Sequence, residues 1–326
     1  MGLSSKDRFK GILLSIPTFA DQDHNLLLNR QRIHFNWLID NGMTEGNAVL
    51  MVAGGMGEGY FLEDTEWRAL AETAAEEANG RVPTVIGVYE LSARRAAGKA
   101  RQAADAGIDC IQVTPTHYFA PDEKEVFQNY KFINDSVDIA IIPYNAPWAM
   151  PNPGFEFSQS LLERFTELEN IVGLKWSSYN YRHYLRMIRI FKNRFNFFDT
   201  DRLLSHGARL GSKGFADDVG NAAPRLSLKK WQLLKERKYD EFDQLDMKFD
   251  HDPISRDLKP DEQMEGRMGE GPASKMIFKA IGIDSGPPFP AQIEQPKKVY
   301  EAYRRYVESS GLLDWVDWDQ SIFDGA

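Results

Sequence analysis

One cysteine, Cys110, stands among 326 residues, so no disulfide forms within the chain and no cysteine cage holds zinc. That scarcity suits a reducing compartment. Positive charge is also short: 39 Lys and Arg face 48 Asp and Glu, a formal balance of −9. Nucleic acids and anionic membrane surfaces reward clustered Lys and Arg, so neither is an expected partner. No apolar run reaches the ~18 residues that would suggest a bilayer span. Residues 1–10 are polar and lack the apolar centre of a secretory signal. The six histidines form no H-x-x-x-H pair, which argues against a metal-dependent enzyme. With 42% hydrophobic and 27% charged residues, the composition is that of a folded globular protein rather than a disordered chain. These limits predict a cytoplasmic enzyme or a binding protein for a small molecule.

What is present alternates regularly. Short apolar runs at 11–16, 47–53, 82–88, 109–114, 139–144, 171–175, 196–199 and 213–216 read as strands. They lack the apolar–polar alternation of a half-exposed sheet, which predicts strands buried on both faces of a parallel sheet. Amphipathic stretches at 26–41, 64–79 and 92–106 read as helices, and each stops at glycine: Asn41-Gly42, Asn79-Gly80 and Gly107. Eight strands with this punctuation predict an α/β fold, a (β/α)8 TIM barrel over 1–238, with a doubly wound sheet as the competing architecture. Beyond Lys238 the strand pattern stops. Helices are expected at 239–249, 273–281 and 297–309, forming a C-terminal helical region, 239–326. The polar 251–272 reads as a long loop, and Gly286-Pro287-Pro288-Phe289-Pro290 as a stiff linker.

A TIM barrel places its active site at the C-terminal ends of the strands, and two adjacent ends carry reactive groups. The run Ile171-Val172-Gly173-Leu174-Lys175 is apolar until its final lysine. Burial in a cleft lowers a lysine's pKa, and a neutral amine attacks a ketone to give a Schiff base. The competing reading is a lysine that reaches solvent or pairs with a carboxylate. The preceding strand ends at Tyr144, whose hydroxyl could relay protons beside that amine, or simply cap the core. After the second strand comes Gly54-Gly55-Met56-Gly57-Glu58-Gly59. It has neither a sound dinucleotide fingerprint nor the Lys-Ser/Thr ending of a P-loop. Its backbone amides would suit a substrate carboxylate, or the segment is only a turn.

Taken in order, these segments resemble the dihydrodipicolinate synthase/N-acetylneuraminate lyase family of Schiff-base class I aldolases and lyases. Gly54 through Glu58 is similar to that family's G-(T/S)-T-G-E loop, Tyr144-Asn145-Ala146-Pro147 to its Y-N-x-P segment, and Gly173-Leu174-Lys175 to its G-(I/V/L)-K segment. The stretch from Gly214 to Asn221 resembles its last-strand loop. The resemblance implies a barrel with C-terminal helices, assembled as a homo-oligomer (tetramer or dimer). It implies an imine between Lys175 and pyruvate or another 2-keto acid, and Tyr144 as proton relay. No metal or cofactor is implied beyond the lysine imine. The loop would hold the keto-acid carboxylate through Gly54, Gly55 and Met56.

Departures from the pattern bear on the substrate. Gly55 and Met56 stand where the family has two hydroxyl residues, so two side-chain donors are missing, each worth about 1.5–3 kcal/mol if charge-assisted. His117 and Tyr118 are the expected replacements, in a segment where relatives carry a tyrosine pair. Trp148-Ala149-Met150 occupies the place where true dihydrodipicolinate synthases carry an arginine, which counts against that reaction. Asp217, with Gly214, is expected to meet substrate hydroxyls, unless Asp217 or Asp218 caps the next helix. The reading is a lyase, aldolase or dehydratase, for pyruvate or a 2-keto-3-deoxy sugar acid. The rival is a non-catalytic or regulatory barrel that binds a small carboxylate.

Overall fold

The computed structural model describes residues 3–115, 118–152, 154–200, 204–249 and 270–324. Eight strands, β1 (Gly11–Ser15), β2 (Ala48–Val52), β3 (Thr84–Val88), β4 (Cys110–Val113), β5 (Ala140–Asn145), β6 (Gly173–Trp176), β7 (Asn196–Asp199) and β8 (Gly214–Asp217), pair in parallel in sequence order. β8 pairs back onto β1 and closes the barrel. Helices follow the strands in turn: α1 (Leu28–Asp40), α2 (Asp64–Ala78), α3 (Ala93–Ala106), α4 (Glu123–Ser136), α5 (Gln159–Phe165), α6 (Tyr181–Phe191), α7 (Leu204–Leu210) and α8 (Pro224–Lys235). This is the (β/α)8 architecture; the doubly wound alternative is excluded by the β1–β8 pairing.

The apolar strands feed two cores because side chains alternate sides every residue. Leu13, Val49, Met51, Val85, Cys110, Ala140, Ile142 and Phe198 fill the barrel interior. Their neighbours Ile12, Leu14, Leu50, Ile86, Ile111, Ile141, Leu174 and Phe215 face the helices. Strands apolar on both faces therefore need helices on the outside. The glycine stops work as read: Gly42 (φ 93°) and Gly107 (φ 89°) take the left-handed conformation that ends a helix, and Asn79 (φ 40°) does so just ahead of Gly80.

Three further helices follow: α9 (Tyr239–Lys248), α10 (Glu270–Ala280) and α11 (Lys297–Ser310). α10 and α11 share a core with Phe19, beyond β1, and with Val219, Ala222 and Leu226, beyond β8. They therefore pack at the C-terminal end of the barrel. Most of the expected 251–272 loop lies outside the described residues, but its last three residues, Glu270-Gly271-Pro272, are the first turn of α10. Proline is tolerated there because its missing N–H has no intrahelical partner to lose.

His34 joins α1 to this end. Its ring is fully buried, and Nε2 donates to the Asn221 carbonyl at 2.9 Å. The Asn221 amide in turn donates to the carbonyl of Ser15, at the end of β1, at 2.7 Å. Burial pushes the His34 pKa down from 6.5 to about 4. The folded chain thus keeps this ring neutral in a range where the unfolded chain protonates it. Stability should be flat in this respect above pH 6.5 and fall as pH drops from 6.5 towards 4, by roughly 3 kcal/mol. Denaturant midpoints across that window for wild type and His34→Gln check it; the variant should lose less on acidification.

Candidate active site

Lys175 is the third residue of β6 and lies directly beside Tyr144 of β5 in the parallel register. Gly173 and Lys175 point inward, whereas Leu174 and Trp176 pack against the helices. Both reactive side chains are buried, Lys175 at 4% and Tyr144 at 3% exposure, and the amine sits 4.2 Å from the centre of the tyrosine ring. Burial pushes the Lys175 pKa below the ordinary lysine value, while the charge of Glu270 pulls it back up. No carboxylate clamps the amine: among the described residues no ion pair includes it. The rate of imine trapping by pyruvate should therefore rise with pH through a midpoint below 10.5. In Glu270→Gln that midpoint should move lower still, because the opposing charge is gone; borohydride trapping rates against pH measure both.

A chain of hydroxyls extends from Tyr144. Its phenol and the Ser177 hydroxyl are 2.9 Å apart, Ser177 and Thr200 are 2.6 Å apart, and Thr200 donates to the Trp176 carbonyl at 2.9 Å. Asn145 fixes the geometry: its amide donates to the Ser177 carbonyl at 2.7 Å, and its oxygen accepts from the Phe157 N–H at 2.7 Å. Tyr144 also donates to Glu270 Oε1 at 3.4 Å. Tyr89, beyond β3, faces the same group; burial raises its phenol pKa first, and the neighbouring Glu270 and Tyr144 raise it further, so it stays protonated. Neither Ser177, Thr200, Tyr89 nor Glu270 was legible as a site residue in the sequence.

The glycine-rich segment is a tight turn. The amides of Glu58 and Gly59 donate back to Gly55 and Gly54 at 3.1 Å each, which leaves the amides of Gly55 and Met56 outside the turn's own pairing. A Cβ at Gly59 would lie 1.9 Å from the Ala53 carbonyl oxygen, so the turn needs glycine there. At Gly55 the conflict would be with Glu270: a Cβ would lie 1.7 Å from its Oε2. The missing side chain at Gly55 therefore makes room for a carboxylate from α10.

Three expected site residues sit elsewhere. Tyr118 is 94% exposed, so its hydroxyl stands in solvent and not beside Lys175 in this chain. Asp217 falls on the outward register of β8 with Phe215; its carboxylate accepts from the Gly220 N–H at 2.9 Å and from the Ser227 hydroxyl, binding the turn into α8. Gly214 opens β8 at the opposite end from the mouth, and its smallness is accounted for by the Gly11 carbonyl 2.1 Å from where its Cβ would be. His117 lies outside the described residues. Ser15 and Thr114, inward on β1 and just after β4, are buried with hydroxyls lacking a hydrogen-bond partner among the described residues. The same residues contain no cluster of three or more His, Cys, Asp or Glu able to hold a metal ion. None of their helices is long and apolar enough to cross a membrane.

Fold and site together define a (β/α)8-barrel protein with a buried lysine–tyrosine pair at the C-terminal ends of adjacent strands. Residues 8–251 match the dihydrodipicolinate synthetase family. The chain belongs to that family, whose members are lyases. It is 30% identical over 232 residues to 4-hydroxy-tetrahydrodipicolinate synthase of Bradyrhizobium diazoefficiens, covering 69% of this chain and 73% of that one. The enzyme of the same name from Methylobacterium radiotolerans is 30% identical over 221 residues, with 67% and 71% covered. Among solved structures, dihydrodipicolinate synthase from Aquifex aeolicus superposes with a TM-score of 0.81 at 19% identity, covering 95% of this chain and all of that one. CdNal from Clostridium difficile, in complex with mannosamine, gives 0.78 at 21% identity, with 93% and 99% covered. At such identities the superpositions speak for the fold alone.

Proposed function

We propose that this protein is a Schiff-base lyase in which the Lys175 amine condenses with the carbonyl of pyruvate or of a 2-keto-3-deoxy sugar acid. The observation that carries this reading is the buried, unclamped amine 4.2 Å from the Tyr144 ring, with its pKa lowered by burial. A neutral amine adds to the carbonyl; Tyr144, in contact with Ser177 and through it with Thr200, gives a proton to the departing hydroxyl of the carbinolamine. The resulting cationic imine is an electron sink for loss of a group from the substrate chain. No metal or separate cofactor is required for that step. The amides of Gly55 and Met56 are the proposed donors to the keto-acid carboxylate.

The curated relatives named above are 4-hydroxy-tetrahydrodipicolinate synthases. Two observations favour a hydroxylated substrate here instead. Trp148, Ala149 and Met150 follow the Tyr144 segment without an arginine for a second carboxylate. The buried Ser15 and Thr114 hydroxyls have no hydrogen-bond partner among the described residues, which suits a polyhydroxylated chain that would supply one. A homo-oligomer is part of the proposal, supported by exposed aromatics on three successive mouth loops: Tyr118 and Phe119, Trp148, and Tyr179. A panel of 2-keto-3-deoxy sugar acids, 4-hydroxy-2-oxo acids and pyruvate–aldehyde pairs tests the reading. Turnover of at least one, insensitive to EDTA, is expected; turnover of none would favour the non-catalytic barrel.

A further inference from the structure

Glu270 reaches the mouth from far along the chain, and the structure holds it there with some care. Lys275, one turn further along α10, pairs with Glu58 of the glycine-rich turn at 2.6 Å, and both groups are buried. Glu58 Oε1 also accepts from the Phe289 N–H at 3.1 Å and from the Gln292 amide. Gly271 lets α10 close on this socket, since a Cβ there would lie 2.1 Å from Glu58 Cγ. The docked helix presents Glu270 to Tyr144 at 3.4 Å, to the charge of Lys175, and to the space that Gly55 leaves open. Among the described residues the carboxylate accepts a hydrogen bond from Tyr144 and none from the amides of Gly55 or Met56. It therefore stands in side-chain space beside the anion-binding amides rather than in their place.

We propose that Glu270 is the general base of an aldol cleavage at this site, taking the proton of the hydroxyl on carbon 4 of a 4-hydroxy-2-oxo acid bound to Lys175 as its imine. The inference rests on the imine reading above and adds the reaction type and the group that drives it. As the carboxylate takes that proton, the O–H pair becomes the C=O bond of the departing aldehyde. The C3–C4 bond breaks, its electrons form the C2=C3 double bond of an enamine, and the iminium nitrogen becomes neutral. The protonated Glu270 then returns the same proton to C3, restoring the imine, and water releases pyruvate from Lys175. No oxidant, metal or second acid enters the balance. Tyr144 sits in the Ser177–Thr200 hydroxyl chain and approaches Glu270 as a donor, so the carboxylate is the acceptor of this pair and the group placed to take the cleavage proton.

The test compares wild type with Glu270→Gln and Gly55→Ser in two assays: borohydride trapping of pyruvate on Lys175, and cleavage of 4-hydroxy-2-oxo acids read by aldehyde release. Glu270→Gln should trap pyruvate fully yet lose at least about 100-fold in kcat for cleavage, with KM little changed. Gly55→Ser should lose cleavage similarly, because its side chain displaces the carboxylate. Adding Glu270→Ala to Gly55→Ser should cost little more, since both remove one function. Cleavage by Glu270→Gln at the wild-type rate would overturn the proposal, and cleavage faster than wild type would identify the carboxylate as a plug. Wild type that traps pyruvate but cleaves no 4-hydroxy-2-oxo acid would overturn it while the imine reading stands. Wild type that fails to trap would remove the imine reading itself.

Discussion

Lys175→Met should lower turnover of the preferred 2-keto acid by at least about 10³-fold, because no other group can form the imine and the remaining residues only assist. The same substitution should leave the chain folded and at least as stable. Lys175 has no carboxylate bonded to it, and burial already disfavours its charge. Replacing such a cation with an apolar side chain of similar length removes a desolvation cost. A residue kept for structure would behave in the opposite way, losing stability when removed. Thermal melts beside steady-state kinetics separate the two: turnover gone with an unchanged or raised Tm is the expected result.

Lys275→Met should do the reverse, acting mainly on stability. Glu58 is fully buried, and its Oε2 is held by the Lys275 ammonium at 2.6 Å. Lys275 also donates to the Pro287 carbonyl, tying α10 to the segment before α11. Removing one member of a buried ion pair costs about 3–5 kcal/mol, because the other charge stays in the protein without its partner. Replacing both, as Glu58→Gln with Lys275→Met, should recover much of that loss, since no uncompensated charge remains. Denaturant unfolding of the two single variants and the double checks this. Activity of folded Lys275→Met should fall as well, since α10 carries Glu270 to the mouth.

The barrel was legible because its signals are local. Short apolar runs closed by Gly42, Asn79-Gly80 and Gly107 carry strand, helix and turn in consecutive residues, and tertiary packing only had to agree with them. Lys175 and Tyr144 were legible for a related reason: a costly side chain at the end of an apolar run has few structural uses. Ser177 and Thr200 carried no such mark, because small hydroxyls after strands are common and only their 2.6 Å approach gives them a role. Glu270 is a charged residue in a polar stretch, and its destination is decided by docking of α10, which no periodicity encodes. Its trace in the sequence was negative, the empty side-chain position at Gly55, which pointed first to His117 and Tyr118. Asp217 could have been placed by register: Gly214 and Ala216 face inward, so Asp217 faces α8. The helix start at Glu270 was hidden by Pro272, which reads as a breaker unless the first turn is recognised.

The account stands on the nucleophilicity of one amine. Incubating the protein with pyruvate, reducing with borohydride and mapping the adduct by peptide mass spectrometry addresses it directly. One reduced pyruvyl group per chain on the peptide containing Lys175, absent from Lys175→Met, is the predicted result. A folded wild-type protein that acquires no adduct, or acquires it on another lysine, would contradict the account.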